Sequence, residues 1–240
     1  MWKNINLERC FSYINCQLAS GVSKQPAIKP AVTISRMCGS GGRTVASRLV
    51  EYLKDYTPLE SQWTVFDRKL IEKVLEDHHL SKRIAELLPE DHKSLLSDTL
   101  EELLGLHPPI SDIVKQTAET IWNLAEMGYV ILVGRGANII TQKLPNVFHV
   151  RLVGSLDKRV ERVQEAYEMN RLEAREFIQK QETGKRRYLK EHFGKDIDNP
   201  LLYHLILNTD LISYEDSARL IARTVIHRFQ LEPCGTTLAV

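Results

Sequence analysis

The sequence AVTISRMCGSGGRTVASRL, residues 31–49, decides the fold prediction. It starts with a short apolar and β-branched run, turns through glycines, and continues with the spacing of an amphipathic helix. In an open α/β sheet, ligands bind beyond the carboxyl ends of the strands, where residues 35–44 would lie. The stretch therefore predicts a strand, an anion-binding turn and a helix.

The turn resembles a phosphate-binding loop with two replacements. The standard pattern is G-x-x-x-x-G-K-[ST], whose backbone N–H groups wrap phosphates while its Lys and Ser/Thr reach phosphate and Mg²⁺. Aligned on Gly42, the chain has Met37 for the first Gly and Arg43 for the Lys, and it retains Thr44. The glycines and the following helix N-terminus still favour an anion. A glycine-rich turn without a ligand is the alternative.

The rest of the chain predicts an α/β fold. Short apolar runs alternate with helical patterns, and each run is too continuous for a half-exposed strand, which is typical of a parallel sheet covered on both faces. Strands are predicted at 31–35, 63–67, 129–134, 147–153 and 204–209. Helices are predicted at 43–54, 68–77, 81–104, 111–127, 155–168, 171–191 and 213–229.

The predicted organisation has three parts. Residues 1–30 form an N-terminal amphipathic helix and linker, 31–230 the α/β domain, and 231–240 a tail. Within the domain, 75–127 is longer than one crossover helix needs. It is either additional helical packing or a helical subdomain that covers a substrate.

Composition argues against several classes of protein. The net charge of +1 gives no general field for nucleic acid or an anionic membrane. The longest apolar run, 128–134, is too short to span a bilayer, and the charged N-terminus does not resemble a signal peptide. The four cysteines lack metal spacing. We therefore expect a cytoplasmic protein with reduced thiols that binds neither nucleic acid nor membrane.

Charged residues follow two other predicted strands. Asp67 and Arg68 end the second strand, and Gly134, Arg135 and Gly136 end the third. An Arg between two glycines after a buried strand suits an anion clamp. The simpler alternative at Asp67 is a helix N-cap followed by a solvated Arg.

Arginines also accumulate between the fourth and fifth predicted strands. A mobile helical flap would bring these cations over a transferring phosphate. Solvent-facing helix surfaces are the simpler explanation for each one alone. The residues are Arg159, Arg162, Arg186 and Arg187.

Together these segments resemble the cytidylate-kinase-like family of P-loop proteins, related to bacterial nucleoside monophosphate kinases. The likeness covers about residues 31–225, and ISRxxGSGGR is its most specific piece. It is carried by AVTISRMCGSGGRTVASRL, FDRKLIEKVL, VILVGRGANII, VFHVRLVGSLDKRVERV and LILNTDLISYEDSARLI. Departures from the family pattern include Gly136 in place of an Asp and the lid sequence QKQETGKRRYLK in place of an Asp-Arg pair.

The resemblance implies a P-loop fold of three layers, α/β/α, with a five-stranded parallel sheet of order 2-3-1-4-5 and with acceptor and lid insertions, the lid near 170–195. It also implies phosphoryl transfer from ATP with Mg²⁺ to CMP, dCMP or a similar small phosphate acceptor. The resemblance implies catalytic roles for five arginines: Arg43, Arg135, Arg162, Arg186 and Arg187. ATP binding falls on Cys38, Gly39, Ser40, Gly41, Gly42, Arg43 and Thr44, with Thr44 on Mg²⁺. Acceptor binding falls on Asp67, Arg68, Gly134, Arg135 and Arg159.

Two points stay open at this stage. The alternative function is a binding or regulatory P-loop module that holds nucleotide or another anion without turning it over, since Met37 and Gly136 depart from the family pattern. A homodimer is the second open point, because Phe11, Tyr13 and Ile14 on a detached helix offer an apolar surface to a second subunit.

Overall fold

Five parallel strands form the centre of the molecule. The computed structural model describes residues 12–15, 28–57, 62–76, 99–101 and 112–233. The strand order is β2-β3-β1-β4-β5, which confirms the predicted sheet. The strands are β1 (Ala31–Arg36), β2 (Thr64–Asp67), β3 (Val130–Val133), β4 (Val147–Val153) and β5 (Leu205–Asn208).

Helices connect these strands and lie on both faces of the sheet. They are α1 (Gly42–Leu53), α2 (Arg68–Glu76), α3 (Asp112–Met127), α4 (Ala137–Ile140), α5 (Leu156–Tyr167), α6 (Arg171–Phe193) and α7 (Tyr214–Phe229). Short 3₁₀ turns lie at Lys54–Tyr56 and Pro200–Leu202. Residues 12–15 and 99–101 are also helical. Most of the predicted helix 81–104 lies outside the described residues.

Strand β1 is the middle of the sheet. It pairs in parallel with β3 on one side and with β4 on the other. Its first five residues are buried, as are all four residues of β3. The continuous apolar runs in the sequence have this cause, because helices cover the central strands on both faces. The carboxyl ends of β1, β2 and β3 therefore meet at one edge.

Helix α6 occupies the predicted lid region. Asn170 caps its start, and the Glu173 side chain bonds back to the Asn170 N–H, which completes a capping box. Gly194 ends the helix in the left-handed region, with φ of 62°. We call α6 the lid helix.

None of the described helices is long and apolar enough to cross a membrane.

The N-terminal helical piece packs on the chain itself. Tyr13 and Ile14 are buried, and the Tyr13 ring meets Phe66 edge to face at 6.0 Å. The Tyr13 hydroxyl donates to the Gly128 carbonyl. These two side chains, on which the dimer expectation partly rested, are thus covered within one chain. Phe11 lies outside the described residues.

Candidate functional site

Two glycines shape the turn after β1, residues 37–44, which we call the phosphate loop. Gly39 and Gly41 take φ of 82° and 79°, a conformation that side chains disfavour. A Cβ on Gly39 would lie 2.7 Å from the Arg159 carbonyl oxygen, and one on Gly41 would collide with the Tyr214 ring. The loop is therefore held closely between α5 and the start of α7.

The helix after the loop begins with unsatisfied donors. Val45 N–H is the first to bond back, to the Gly41 carbonyl at 2.9 Å. Within the described part of the chain, the N–H groups of Gly42, Arg43 and Thr44 have no acceptor. Free N–H groups at the positive end of a helix dipole form an anion site. This is the arrangement that the glycine pattern predicts.

Two residues of the predicted site, Ser40 and Arg159, support the loop through contacts with backbone carbonyls. The Ser40 hydroxyl is buried and donates to the Met37 carbonyl at 2.8 Å. The Arg159 guanidinium donates to the carbonyls of Cys38 at 3.1 Å and Gly154 at 2.9 Å. Arg159 was predicted to bind the acceptor; the structure places its guanidinium on backbone carbonyls of the loop and of Gly154, which precedes α5.

Arg43 and Asp67 were predicted at separate positions and lie together. The Arg43 guanidinium contacts the Asp67 carboxylate at 2.7 Å, and 62% of the Arg43 side chain is exposed. Asp67 also accepts from the N–H groups of Lys69 at 2.9 Å and Leu70 at 3.2 Å, and so caps α2. The N-cap alternative for Asp67 is thus observed alongside the ion pair.

We name the turn after β3, Gly134–Arg135–Gly136, the acceptor turn after its predicted role. All three residues have positive φ, which for Arg135 is 56°. The Arg135 guanidinium pairs with Glu72 and lies 5.7 Å from the centre of the Tyr188 ring. Arg68 contacts the same Glu72 carboxylate at 2.9 Å. Burial acts to raise the pKa of Glu72, but the bonds from Arg68 and Arg135 hold it below its usual range.

Arg162 joins α5 to the segment after β5. Its guanidinium bonds the Thr209 carbonyl at 2.8 Å and the Asp210 carboxylate at 3.2 Å. It also lies 5.4 Å from the centre of the Tyr214 ring. Arg162 is therefore fixed beside the same tyrosine that packs on Gly41.

The lid helix contacts the phosphate loop through an ion pair that the sequence reasoning did not select. The Glu182 carboxylate accepts from the Cys38 N–H at 2.6 Å and from Lys185 Nζ at 3.0 Å. Lys185 also donates to the Arg36 carbonyl at 3.2 Å. Burial and the nearby Arg36 charge lower the pKa of Lys185. Burial raises the pKa of the Cys38 thiol.

The two arginines chosen for the lid lie elsewhere on α6. Arg186 pairs with Asp198 at 2.6 Å, and Asp198 also binds the buried Arg151 at 2.8 Å. Arg187 is exposed and lines a shallow depression on α6 with Lys180. Their catalytic role stays a prediction, one that requires movement of the lid helix.

A periodic signal in the sequence marks Glu182. The buried positions of α6 are Ala174, Ile178, Glu182, Leu189 and Phe193. They follow the spacing of one helix face, and Glu182 is the charged member of that face. Helical spacing separates Glu182 from Arg187, which falls on another face, whereas Arg186 lies one turn after Glu182 and is exposed.

At Thr44 the chain offers one hydroxyl oxygen, which suits a Mg²⁺ ion that is bound mainly by phosphate oxygens. Thr44 is exposed at the start of α1, beside the free N–H groups. No group of three or more His, Cys, Asp or Glu in the described ranges is arranged to hold a metal. Mg²⁺ usually keeps several waters and takes few protein ligands when phosphates are present. A single protein hydroxyl is consistent with this coordination preference of Mg²⁺.

Comparison with known proteins agrees with this geometry. A cytidylate kinase of Pyrobaculum neutrophilum (strain DSM 2338 / JCM 9278 / NBRC 100436 / V24Sta) is 29% identical over 190 residues, which are 79% of this chain and 89% of that protein. A crystal structure of an uncharacterized protein from Eubacterium ventriosum ATCC 27560 superposes with a TM-score of 0.64 at 19% identity. That superposition covers 83% of this chain and 99% of the other, and it supports the fold.

The match to a family sequence pattern is the decisive comparison. The pattern of the Cytidylate kinase-like family matches residues 31–211, from the first residue of β1 to just beyond β5. The matched range includes the phosphate loop, the acceptor turn and the lid helix. With a parallel sheet of order 2-3-1-4-5 and free N–H groups after its central strand, the chain belongs to the cytidylate kinase-like family.

Proposed function

We propose that this protein transfers the γ-phosphoryl group of ATP to a nucleoside monophosphate or a similar small phosphate acceptor. One observation carries the proposal. The unsatisfied N–H groups of Gly42, Arg43 and Thr44 follow β1, and the Arg135 guanidinium follows the adjacent β3. Two anion-binding groups on neighbouring strands suit a donor phosphate and an acceptor phosphate held face to face.

The donor phosphates bind at the phosphate loop in this proposal. Backbone N–H groups of Gly42–Thr44 hold the β- and γ-phosphates, and no charged side chain must be desolvated to do so. Arg43 exchanges its contact with Asp67 for one with phosphate. The Thr44 hydroxyl would hold Mg²⁺, which would neutralise part of the phosphate charge.

The acceptor phosphate binds at the acceptor turn. Arg135 offers a planar fork that suits two phosphate oxygens. Its present partner Glu72 also bonds Arg68, so Glu72 keeps a cationic partner when Arg135 turns to phosphate. Asp67 and Arg68 border the same edge at the start of α2.

Chemistry then requires little from the protein beyond position and charge. An acceptor phosphate oxygen bonds to the γ-phosphorus while the bond to the β,γ-bridging oxygen breaks, and ADP leaves. An acceptor phosphate dianion has no proton to lose. Lys185 and Arg162 on the lid side supply further positive charge, and Arg186 and Arg187 join them if the lid helix moves inward.

CMP or dCMP is the acceptor that we propose first. This rests on the family and on the printed name of the Pyrobaculum neutrophilum relative, a cytidylate kinase. The side chains that would read the base belong to the 75–127 region, most of which lies outside the described residues. The contacts at the two turns support phosphate recognition, and the likeness to the family supports CMP or dCMP as the acceptor.

The test is ADP formation by purified protein with ATP, Mg²⁺ and a panel of nucleoside monophosphates. We expect ADP with CMP or dCMP, and its loss in Arg43→Ala with the fold intact. Arg171→Ala is the matched control, because Arg171 pairs with Asp157 on an exposed surface. Absence of ADP with every acceptor would overturn the kinase proposal. Unchanged turnover in Arg43→Ala would remove Arg43 from the mechanism.

A nucleotide-binding module without turnover is the second candidate. The observation in its favour is that Arg43, Arg135, Arg162 and Lys185 each already contact a carboxylate. Such pairing would suit a protein that holds an anion weakly. Thermal stabilisation by ATP without ADP formation would select this function.

A further inference from the structure

Arg36 lies at the junction of the phosphate loop and the acceptor turn. It is the last residue of β1. A Cβ on Gly42 would lie 2.8 Å from its Cγ, and a Cβ on Gly134 would collide with its Nη1. The side chain therefore runs from the donor side to the acceptor side of the edge, and both glycines leave it room.

The Arg36 guanidinium has no partner within the described ranges. No carboxylate forms an ion pair with it there, and it donates no hydrogen bond. This separates Arg36 from Arg43, Arg135 and Arg162, each of which contacts a carboxylate. Its own carbonyl accepts from Lys185, which brings a second cation to the same place.

An unpaired, partly buried cation is unfavourable without an anion. Burial and the Arg43 charge lower the pKa of Arg36, and the carboxylates of Glu182 and Asp67, which form no ion pair with it in the described ranges, offset this only in part. A phosphoryl group between the loop and the turn would supply the missing negative charge and accept the free N–H donors. The surroundings are thus arranged for an anion.

We propose that Arg36 is a catalytic residue that contacts the phosphoryl group during its transfer between the phosphate loop and the acceptor turn. This rests on the proposed kinase function. It also accounts for a departure of the loop from the standard pattern, because the Arg that replaces the usual Lys, Arg43, is largely exposed and bound to Asp67. Arg36 adds a second guanidinium, which lies between the phosphate loop and the acceptor turn.

The experiment compares Arg36→Met, Arg36→Lys and Arg36→Ala with Arg171→Met, whose side chain is exposed and pairs with Asp157. We expect kcat to fall at least about 100-fold in Arg36→Met, as for other arginines that stabilise a transferring phosphoryl group. Added guanidinium should restore part of the activity of Arg36→Ala, because the space between Gly42 and Gly134 is then open. Arg171→Met should behave as wild type.

A binding measurement complements the kinetics. Tripolyphosphate without metal probes the anion site, and its affinity, measured by calorimetry, should fall about tenfold or more in Arg36→Met. Arg36→Lys keeps a positive charge and serves if Arg36→Met does not fold. It should retain most of the affinity but little turnover, since an ammonium lacks the two-point fork.

The outcomes separate this proposal from the kinase function. An active wild type with unchanged kcat and tripolyphosphate affinity in the Arg36 variants would overturn the role of Arg36 and leave the kinase function standing. A wild type that makes no ADP would overturn the kinase function, and with it the catalytic role of Arg36. In that case, tripolyphosphate affinities of wild type and Arg36→Met would show whether Arg36 contributes to anion binding without any phosphoryl transfer.

Discussion

The carboxylate of Glu182, on the lid helix, accepts a 2.6 Å hydrogen bond from the backbone N–H of Cys38 in the phosphate loop. Glu182 is buried, and Lys185 one turn later contacts the same carboxylate at 3.0 Å. Burial acts to raise the pKa of Glu182, yet Lys185 and the Cys38 N–H hold it below its usual range. A negative charge therefore lies against the loop for which we propose phosphate binding.

Removing that charge should strengthen anion binding. We expect Glu182→Gln to bind tripolyphosphate about fivefold more tightly, because one repulsive charge near the loop costs on the order of 1 kcal/mol at effective protein dielectric. Calorimetric titration at fixed ionic strength measures the change. Glu191→Gln, at an exposed position on the same helix, is the control and should not alter the affinity. Weaker binding in Glu182→Gln would show that the carboxylate organises the loop instead of opposing phosphate.

Arg135 offers a test that separates stability from function. Its φ of 56° suits Gly better than Arg. We expect Arg135→Gly to change the free energy of unfolding by less than about 1 kcal/mol, since relief of the backbone offsets the lost Glu72 contact. Turnover should fall at least about 100-fold, with a raised KM for the acceptor. Urea unfolding and steady-state kinetics check the two effects.

A matched change at another left-handed position controls for the backbone. Glu168 has φ of 55° at the end of α5, away from the acceptor turn. Glu168→Gly should have a similar small effect on stability and none on turnover. Retained acceptor turnover in Arg135→Gly would contradict the assignment of Arg135 to acceptor binding.

Because His149 is buried, we expect the folded protein to lose stability in acid. Burial, with the charges of His204 and Arg228, lowers its pKa from 6.5 to about 3. The unfolded chain therefore binds a proton below pH 6.5 that the folded chain refuses, so stability falls as pH decreases from about 6.5 toward 3. At pH 5, this one group lowers the free energy of unfolding by about 2 kcal/mol relative to neutral pH.

A His149→Phe variant isolates this contribution. Phe keeps a ring against His204, which stacks on His149 at 4.9 Å, but it leaves the Thr33 hydroxyl without its 2.8 Å partner. The variant should be less stable at pH 7 and should lose less stability between pH 7 and pH 5. Urea unfolding at each pH gives both slopes. Parallel slopes for the two proteins would show that His149 is not held neutral.

Arg151 should be important for stability. It is 2% exposed and bonds Ser35 and Asp198 at 2.8 Å each. We expect Arg151→Met to lower the free energy of unfolding by about 2–4 kcal/mol, because it breaks a buried hydrogen-bonded pair. The exposed Arg219, which pairs with Asp216, is the control, and Arg219→Met should leave the free energy of unfolding unchanged. A small effect at Arg151 would mean that Met packs as well there.

The sequence was sufficient for the fold because local pattern and tertiary position agree there. The predicted strand 147–153 is observed over the same residues, and the predicted helix 171–191 differs from Arg171–Phe193 by two residues at one end. The short helix Ala137–Ile140 was not predicted, since four residues are too few for helical spacing to appear.

The site was predicted less completely because contacts across the chain decide it. Glycine spacing indicates the phosphate loop, which is local. By contrast, the Arg36 guanidinium has room only because the residue at 134, about a hundred positions away in the sequence, is a glycine. Glu182 meets Cys38 across a separation of 144 residues. No local pattern encodes such distances, although the buried face of α6 contained a signal for Glu182.

The position of β1 in the sheet has a consequence for motion. Because β1 is bonded to a neighbour along both edges, its amide hydrogens should exchange with solvent only when the whole domain opens. The phosphate loop is thus attached to the strand that we expect to unfold last. Closure over a bound nucleotide would then bring the surrounding cations toward a nearly stationary set of N–H groups, with α6 as the moving partner.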